Sequence, residues 1–197
     1  MNPADLPPHE LMQRMVAFFE SHNIAYHVVG SMASMAYGEP RLTIDIDMVA
    51  DLKLEHAAPL VAEFTAPEYY LSEAALRNAI AQRRQFNIIH PASGLKVDLF
   101  VQKDTEYARV EAQRVRRIRS VGDYDAWFGS PEDVLLNKLM YFQQGGGVSD
   151  KHLRDIAGMM KLLQEKLDRA YVTEWAKKLG VNQEWVLVQK RVDGATG

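Results

Sequence analysis

Asp45 and Asp47 stand two residues apart in the run Leu42-Thr43-Ile44-Asp45-Ile46-Asp47-Met48-Val49. Polar and apolar residues alternate along it, the period of a strand with one face buried. On such a strand Thr43, Asp45 and Asp47 share one face, and Ile44, Ile46 and Met48 the other. Two carboxylates side by side repel, and folding alone gains nothing from them. A divalent cation between them gives the pair a purpose. Mg²⁺ takes hard oxygen ligands, often one or two carboxylates completed by water and substrate phosphates. A third carboxylate follows in Leu95-Lys96-Val97-Asp98-Leu99-Phe100-Val101, where Asp98 lies mid-strand between apolar neighbours. Three such groups on adjacent strands can hold two metals, one for the attacking and one for the leaving oxygen of an in-line phosphoryl displacement.

Upstream, the apolar run Ile24 to Val29 stops at Gly30-Ser31, and small residues from Met32 to Tyr37 read as a helical turn. A helix N-terminus presents free N–H groups and the positive end of its dipole to an anion. Gly30 lets a phosphate approach the backbone, and Ser31 adds a hydroxyl. A phosphate cradle before a carboxylate strand suits a metal–nucleoside triphosphate. Gly38 is expected to end the helical turn in the left-handed conformation. Pro40 and Arg41 then turn the chain back, with Arg41 bracing the carboxylates or the turn.

The elements that must position these residues follow from spacing and punctuation. Asp5 to Pro8 is turn-rich. His9 to Ser21 has helical spacing, with Leu11, Met15, Phe18 and Phe19 on one face. Leu54 to Phe64 reads as a helix with Leu60, Val61 and Phe64 inward, and Ser72 caps a helix from Glu73 to Gln82. Phe86 to His90 is a short strand, closed by the turn cluster Pro91-Ala92-Ser93-Gly94. Thr105 to Gln113 is helical. Arg114 to Val121 is a basic, β-branched run paired, after Gly122-Asp123, with Asp125 to Phe128. Ser130-Pro131-Glu132-Asp133 starts a helix with a capping serine, proline at the first position and acids in the first turn. It ends near Gln143, before Gly145-Gly146-Gly147. Further helices run from Ser149 to Lys166, Ala170 to Leu179 and Asn182 to Val188. Strands precede Gly129 and helices alone follow it. The expected fold is therefore α/β, a small mixed sheet flanked by helices, with residues 1–129 as core and 130–197 as a helical C-terminal part.

At 197 residues and 47% hydrophobic content, the chain has ample material for such a core. Its net charge of −3 gives no reason to expect a protein that coats nucleic acid. It has no cysteine, which excludes disulfides and thiolate metal sites. Neither a secretory signal nor an apolar run of membrane-spanning length is present, so a soluble, cytoplasmic protein without membrane association is expected. The six histidines lack metal-ligand spacing. Arg114, Arg116, Arg117 and Arg119, with Arg83 and Arg84, fit phosphate contacts to a nucleic acid. The absence of interleaved aromatics favours an edge strand guarded by charge.

Gly30-Ser31, Tyr37-Gly38, Pro40-Arg41, Thr43, Asp45-Ile46-Asp47 and Val97-Asp98-Leu99 together resemble the active-site pattern of nucleotidyltransferases of the DNA polymerase β-like superfamily. Within it the chain is most similar to minimal bacterial enzymes related to the abortive-infection toxin AbiEii. Those begin a helical tail with a Pro-Glu-Asp helix carrying a lysine, here Pro131-Glu132-Asp133 with Lys138. Asp150-Lys151 and Arg154-Asp155-Ile156 resemble the charged helix beyond the glycine-rich turn. The likeness runs from Ile24 to about Leu163. Tyr37 stands where relatives often have histidine, and the gap from Gly-Ser to Asp-x-Asp is longer than in many polymerase β-like enzymes.

The resemblance implies transfer of a nucleoside monophosphate from a nucleoside triphosphate to an acceptor hydroxyl on RNA or protein, with Mg²⁺ or Mn²⁺ held by Asp45, Asp47 and Asp98. Gly30 and Ser31 would hold the outer phosphates, and Lys138 and Arg41 would contact the nucleotide. It also implies a toxin with an antitoxin partner. By residues alone, Lys138 reads equally as a surface lysine, and Arg154-Asp155 reads more readily as a surface charge pair than as a polar wall to the cleft. A phosphotransferase using the same triphosphate site and a non-catalytic nucleotide-binding module are the competing functions. A third carboxylate is superfluous in the latter.

Overall fold

The computed structural model describes residues 6–148 and 150–194. Asp5 of the expected N-terminal turn and Ser149, the expected start of a helix, lie outside the described residues. By its internal contacts the chain forms two compact units. One comprises the described residues up to Val29 together with Leu42–Phe128. The other comprises Gly30–Arg41 together with the described residues from Gly129 onward.

The first unit is built on a six-stranded mixed sheet: β1 (Tyr26–Val28), β2 (Asp45–Ala50), β3 (Gln85–His90), β4 (Leu95–Val101), β5 (Arg116–Ser120) and β6 (Tyr124–Phe128), in the order β3-β4-β2-β1-β6-β5. β2 runs parallel to β4 and antiparallel to β1, and β1 runs parallel to β6. The alternation read from the sequence is realised in β2, where Ile46, Met48 and Ala50 are fully buried while Asp45, Asp47 and Val49 are half-buried. Opposite them on β4, Val97, Leu99 and Val101 continue the apolar face. Helix α1 (Pro8–Ser21) packs on β2 and buries Leu11, Met12, Met15, Val16, Phe18 and Phe19. Its proline at the first position loses no hydrogen bond there. A short 3₁₀ turn (Leu54–His56) and α3 (Ala57–Glu63) bury Ala57, Leu60 and Phe64. Helix α4 (Glu73–Gln82) starts where expected, with the Ser72 hydroxyl accepting from the Ala75 N–H at 3.3 Å. Thr105 caps α5 (Glu106–Gln113) in the same way.

Two expectations for this unit fail: Val61, expected inward with Leu60 and Phe64, is only half-buried, and β2 is shorter than its alternating run. β2 begins at Asp45 rather than Leu42. In the register that pairs Asp45 with Lys96, Ile44 falls opposite Leu95, the first residue of β4, and its carbonyl still accepts from the Lys96 N–H at 3.5 Å, whereas Leu42 and Thr43 fall beside the turn at Pro91 to Gly94 and have no strand to pair with along that edge. Leu42 is 99% exposed and Ile44 62%, so Ile44 does not share the buried face of Ile46 and Met48.

The second unit is helical: α2 (Gly30–Tyr37), α6 (Pro131–Gln144), α7 (Asp150–Leu163), α8 (Arg169–Lys178) and α9 (Asn182–Gly194), with a 3₁₀ turn after α7. α2 packs on α6 and α7, and α6 on α7, α8 and α9. The Pro-Glu-Asp start of α6 is buried, and its acids serve the fold. The Ser130 hydroxyl accepts from the Asp133 N–H at 3.2 Å and donates to Asp133 Oδ2 at 2.6 Å. Asp133 Oδ1 accepts from the Tyr171 hydroxyl at 2.7 Å, and Glu132 Oε1 from the Asp168 N–H at 3.1 Å. Each acid thus anchors the start of α8. Among the described residues no helix is long and apolar enough to cross a membrane.

Gly38 ends α2, but not in the left-handed conformation, since its φ is not positive. Glycine is needed there for space. A Cβ at this position would lie 2.9 Å from the Ser34 carbonyl oxygen and 3.1 Å from Met159 Cγ. The carbonyl belongs to the α2 backbone and cannot rotate away. Gly38→Ala should therefore lower the unfolding free energy by about 1–3 kcal/mol, the usual cost of overpacking. Urea unfolding measures it, and an unchanged midpoint would show that α2 and α7 separate freely at this contact.

Candidate functional site

The residues singled out by chemistry fall into two groups, one on the sheet and one among the helices. On the sheet, parallel pairing sets Asp47 opposite Asp98 and Asp45 opposite Lys96. Directly opposed residues project to the same face, so all four share one face of β2 and β4, with Asn87 of β3 opposite Asp98. The strands hold them rigidly because their other face is the apolar core. Asp98 is only 7% exposed, whereas Asp45 and Asp47 are half-buried.

Lys96 lies among these carboxylates. Its ammonium donates to Asp98 Oδ2 at 2.8 Å and stands 3.7 Å from Asp45 Oδ1. The hydrogen bond to Asp98, then the negative charges of Asp98, Asp45 and Asp47, hold Lys96 above the ordinary lysine range despite partial burial. Asp98 Oδ1 is buried and accepts no hydrogen bond. Leaving a carboxylate oxygen dry and unpaired is costly. Among the described residues no group of three or more His, Cys, Asp or Glu side chains is arranged to hold a metal ion. The donor chemistry nevertheless fits a hard divalent cation: carboxylate oxygens on one rigid face, one of them unsatisfied, with a lysine already supplying positive charge.

Among the helices, the β1 strand gives way to α2 through Gly30, whose φ of +62° lies where side chains are disfavoured. Ser31 follows, 7% exposed. Its hydroxyl accepts a hydrogen bond from Arg41 Nη2. Arg41 also grips Asp155 of α7 through Nε to Oδ1 at 3.0 Å and Nη2 to Oδ2 at 3.1 Å. Lys138 of α6 donates to Asp155 Oδ2 at 2.6 Å. Asp155 is thus the hub joining Ser31, Arg41 and Lys138. Burial alone would raise its pKa, but the hydrogen bonds and charges of Arg41 and Lys138 outweigh burial and hold it below the usual carboxylate range. Burial pushes Lys138 below the usual lysine range, only partly opposed by Asp155. Beside the hub a cavity of about 210 Å³ is lined by Ser34, Glu39, Arg41, Lys151, Arg154 and Asp155.

Two residues thereby gain weight that the sequence did not give them. Lys138 is 3% exposed, so it is not a surface lysine. Asp155 is not half of a surface pair with Arg154, because its side chain is only 8% exposed. Besides its place in the motif resemblance, the sequence signal for Asp155 is its position beside Ile156, next to the buried stripe of α7. Lys96 carried a signal too: it shares the polar face of its strand with Asp98. Its pairing with Asp45 depended on a register that the sequence does not display. Arg116, Arg117 and Arg119 of the basic run lie on edge strand β5, whereas Arg114 ends α5, and the charges of Arg117 and Arg119 are met locally. Arg117 lies near Glu20 and Asp125 and over the Trp127 ring, and Arg119 pairs with Asp123 at 2.7 Å and Asp125 at 3.3 Å.

No family model and no curated protein sequence matches the chain. Solved structures do. The chain is similar to the crystal structure of ANT(2'')-Ia in complex with adenylyl-2''-tobramycin, at 12% identity and a TM-score of 0.59, covering 86% of this chain and 97% of that one. It is similar to the lincomycin-bound lincosamide antibiotic adenylyltransferase LnuA, at 13% identity and a TM-score of 0.53, covering 80% and 98%. A third is an antigenic nucleotidyltransferase-like protein from Paracoccidioides brasiliensis, at 18% identity and a TM-score of 0.53, covering 92% and 91%. The chain has the nucleotidyltransferase fold that these proteins share.

The hub yields a pH-dependent prediction. Asp155→Asn leaves Lys138 buried beside a neutral amide, which should cost about 3 kcal/mol, the low end for breaking a buried ion pair because Arg41 stays partly solvated. A carboxylate with a depressed folded pKa stabilises the fold above its unfolded pKa, near 3.8, and loses that contribution as the pH falls through the folded value. Urea unfolding should show the full gap between wild type and variant at pH 7, narrowing below about pH 4. A gap that stays constant into acid would mean that the charge on Asp155 is not what stabilises.

Proposed function

We propose that this chain is a metal-dependent nucleotidyltransferase that moves a nucleoside monophosphate from a nucleoside triphosphate to an acceptor hydroxyl. The observation that carries the reading is the in-register placement of Asp47 against Asp98, with Asp45 two residues along the same face. A binding module has no use for that third, largely buried carboxylate. The adenylyltransferase likeness of LnuA, and the adenylylated product bound to ANT(2'')-Ia, support the same chemistry on this fold.

In this reading Asp45 and Asp47 would hold Mg²⁺ or Mn²⁺, and Asp98 would complete the set on the acceptor side. When bound there, the metal would supply charge neutralisation to the phosphates and a lowered pKa to the acceptor hydroxyl. Asp98 orients that hydroxyl and accepts its proton. The acceptor oxygen bonds to the α-phosphorus, the bond to the bridging oxygen breaks, and pyrophosphate leaves. Gly30, with no Cβ at a positive φ, and the Ser31 hydroxyl hold the β- and γ-phosphates. Arg41 and Lys138 add positive charge, fixed in place by Asp155. Catalysis is chiefly positioning and charge neutralisation, as in other phosphoryl transfers.

The finer assignment is to the AbiEii-like branch, with RNA or protein as acceptor and a toxin role opposite a companion antitoxin. It is supported by the motif resemblance from Gly30 to Asp155 and belongs to this proposal alone. The solved neighbours that carry antibiotics make a small hydroxylated molecule the natural competitor as acceptor.

The test uses triphosphates labelled at the α- or γ-phosphate, with Mg²⁺ and separate RNA, protein and aminoglycoside or lincosamide acceptors. Transfer of α-label with release of pyrophosphate is expected. Asp47→Asn and Asp98→Asn should each lower the rate by at least about 100-fold in proteins whose melting curves match wild type. Asp98→Asn should retain most triphosphate affinity, since its interaction is made mainly in the transition state. Transfer of γ-label instead would identify a phosphotransferase. Triphosphate binding without transfer to any acceptor would identify a binding module.

A further inference from the structure

Lys96 occupies a place that the proposed metal needs. Its ammonium holds one oxygen of Asp98 at 2.8 Å and stands 3.7 Å from Asp45, while the second Asp98 oxygen is buried with no hydrogen-bond partner. A divalent ion that takes Asp98 Oδ2 as a ligand, the more accessible position because Oδ1 is buried, must displace the ammonium from it. The displaced ammonium then needs another anion. Its side chain is about one-third exposed and its four-carbon stem is flexible, so it can swing off the carboxylates without unpacking the strand. Phosphate oxygens arriving with the metal are such an anion.

We propose that Lys96 is a resident counter-ion that excludes the bare metal from the carboxylate face and yields to it only when a triphosphate arrives to receive the ammonium. Lys96 is then a positioning residue that couples metal binding to nucleotide binding. The inference rests on the metal-dependent nucleotidyl transfer proposed above and adds the order in which that site fills. Coupling of this kind is reciprocal: the triphosphate tightens the metal by the same factor as the metal tightens the triphosphate.

The experiment measures Mn²⁺ binding to the full chain by electron paramagnetic resonance, with and without a non-hydrolysable triphosphate analogue, at fixed free Mn²⁺. In wild type the analogue should tighten Mn²⁺ by about tenfold or more, within the usual range for coupled sites. In Lys96→Gln, Mn²⁺ alone should bind about tenfold tighter than to wild type, and the analogue should then add little. Lys96→Arg, which keeps the charge, should retain the wild-type pattern. Melting curves establish that each variant is folded, and Lys96→Met provides a second neutral variant if Gln fails to fold. Equal Mn²⁺ affinity in wild type and both neutral variants would overturn the role of Lys96 while leaving the metal site standing. Absence of Mn²⁺ binding in every protein and condition would overturn the metal site and this inference together.

Discussion

Three carboxylates on one face of two neighbouring strands are the constraint around which this fold is arranged. Adjacent strands lie about 5 Å apart, and unit charges at that spacing repel by about 3 kcal/mol at an effective dielectric constant near 20. Asp47 and Asp98 face each other across such a gap, and Asp98 is nearly dry. The apolar face beneath them makes this tolerable. Ile46, Met48, Val97 and Leu99 are fully buried behind the acids and fix both strands, so the charges cannot relax apart. Lys96 offsets part of the repulsion. A protein selected for stability alone would replace Asp98 with an apolar residue and lose nothing from its core.

The helical unit solves an opposite problem. Arg41 and Lys138 are two cations brought to one place, and Asp155 holds both at hydrogen-bonding distance. Lys138 is almost fully buried, so Asp155 is required for its retention as well as its position. The same arginine reaches Ser31, at the start of α2, so the hydroxyl nearest the positive-φ glycine is oriented by a side chain anchored on α7. Gly38 keeps α2 and α7 close enough for this, since a Cβ there would press on Met159 of α7, 3.1 Å from its Cγ and 3.3 Å from its backbone nitrogen.

Much of this could be read from the sequence, and the failures have physical causes. The Asp-x-Asp strand, the third strand aspartate, the Ser72 and Ser130 caps and the paired edge strand β5 were visible because each is a local signal: a period of two, a capping hydroxyl or a turn glycine. Alternation continues through Leu42 and Ile44 and so predicts too early a start for β2, because which residues find a partner on β4 depends on a register that no local pattern encodes. The glycine at 38 was recognised, but a close approach to Met159 was mistaken for a left-handed turn. Asp155 was undervalued because its partners lie 17 and 114 residues away. The sequence places Lys96 on the polar strand face with Asp98, but only the register sets it opposite Asp45.

The central claim is that the polar face of β2 and β4 is where a divalent ion binds. Mn²⁺ is paramagnetic and broadens the NMR signals of nearby nuclei, so titrating it into ¹⁵N-labelled protein locates it directly. Substoichiometric Mn²⁺ with a triphosphate analogue should broaden the amides of Asp45 to Asp47, Lys96 to Asp98 and Asn87 first, and Asp47→Asn should abolish that pattern. Broadening that begins elsewhere, or that persists unchanged at these amides in Asp47→Asn, would contradict the account.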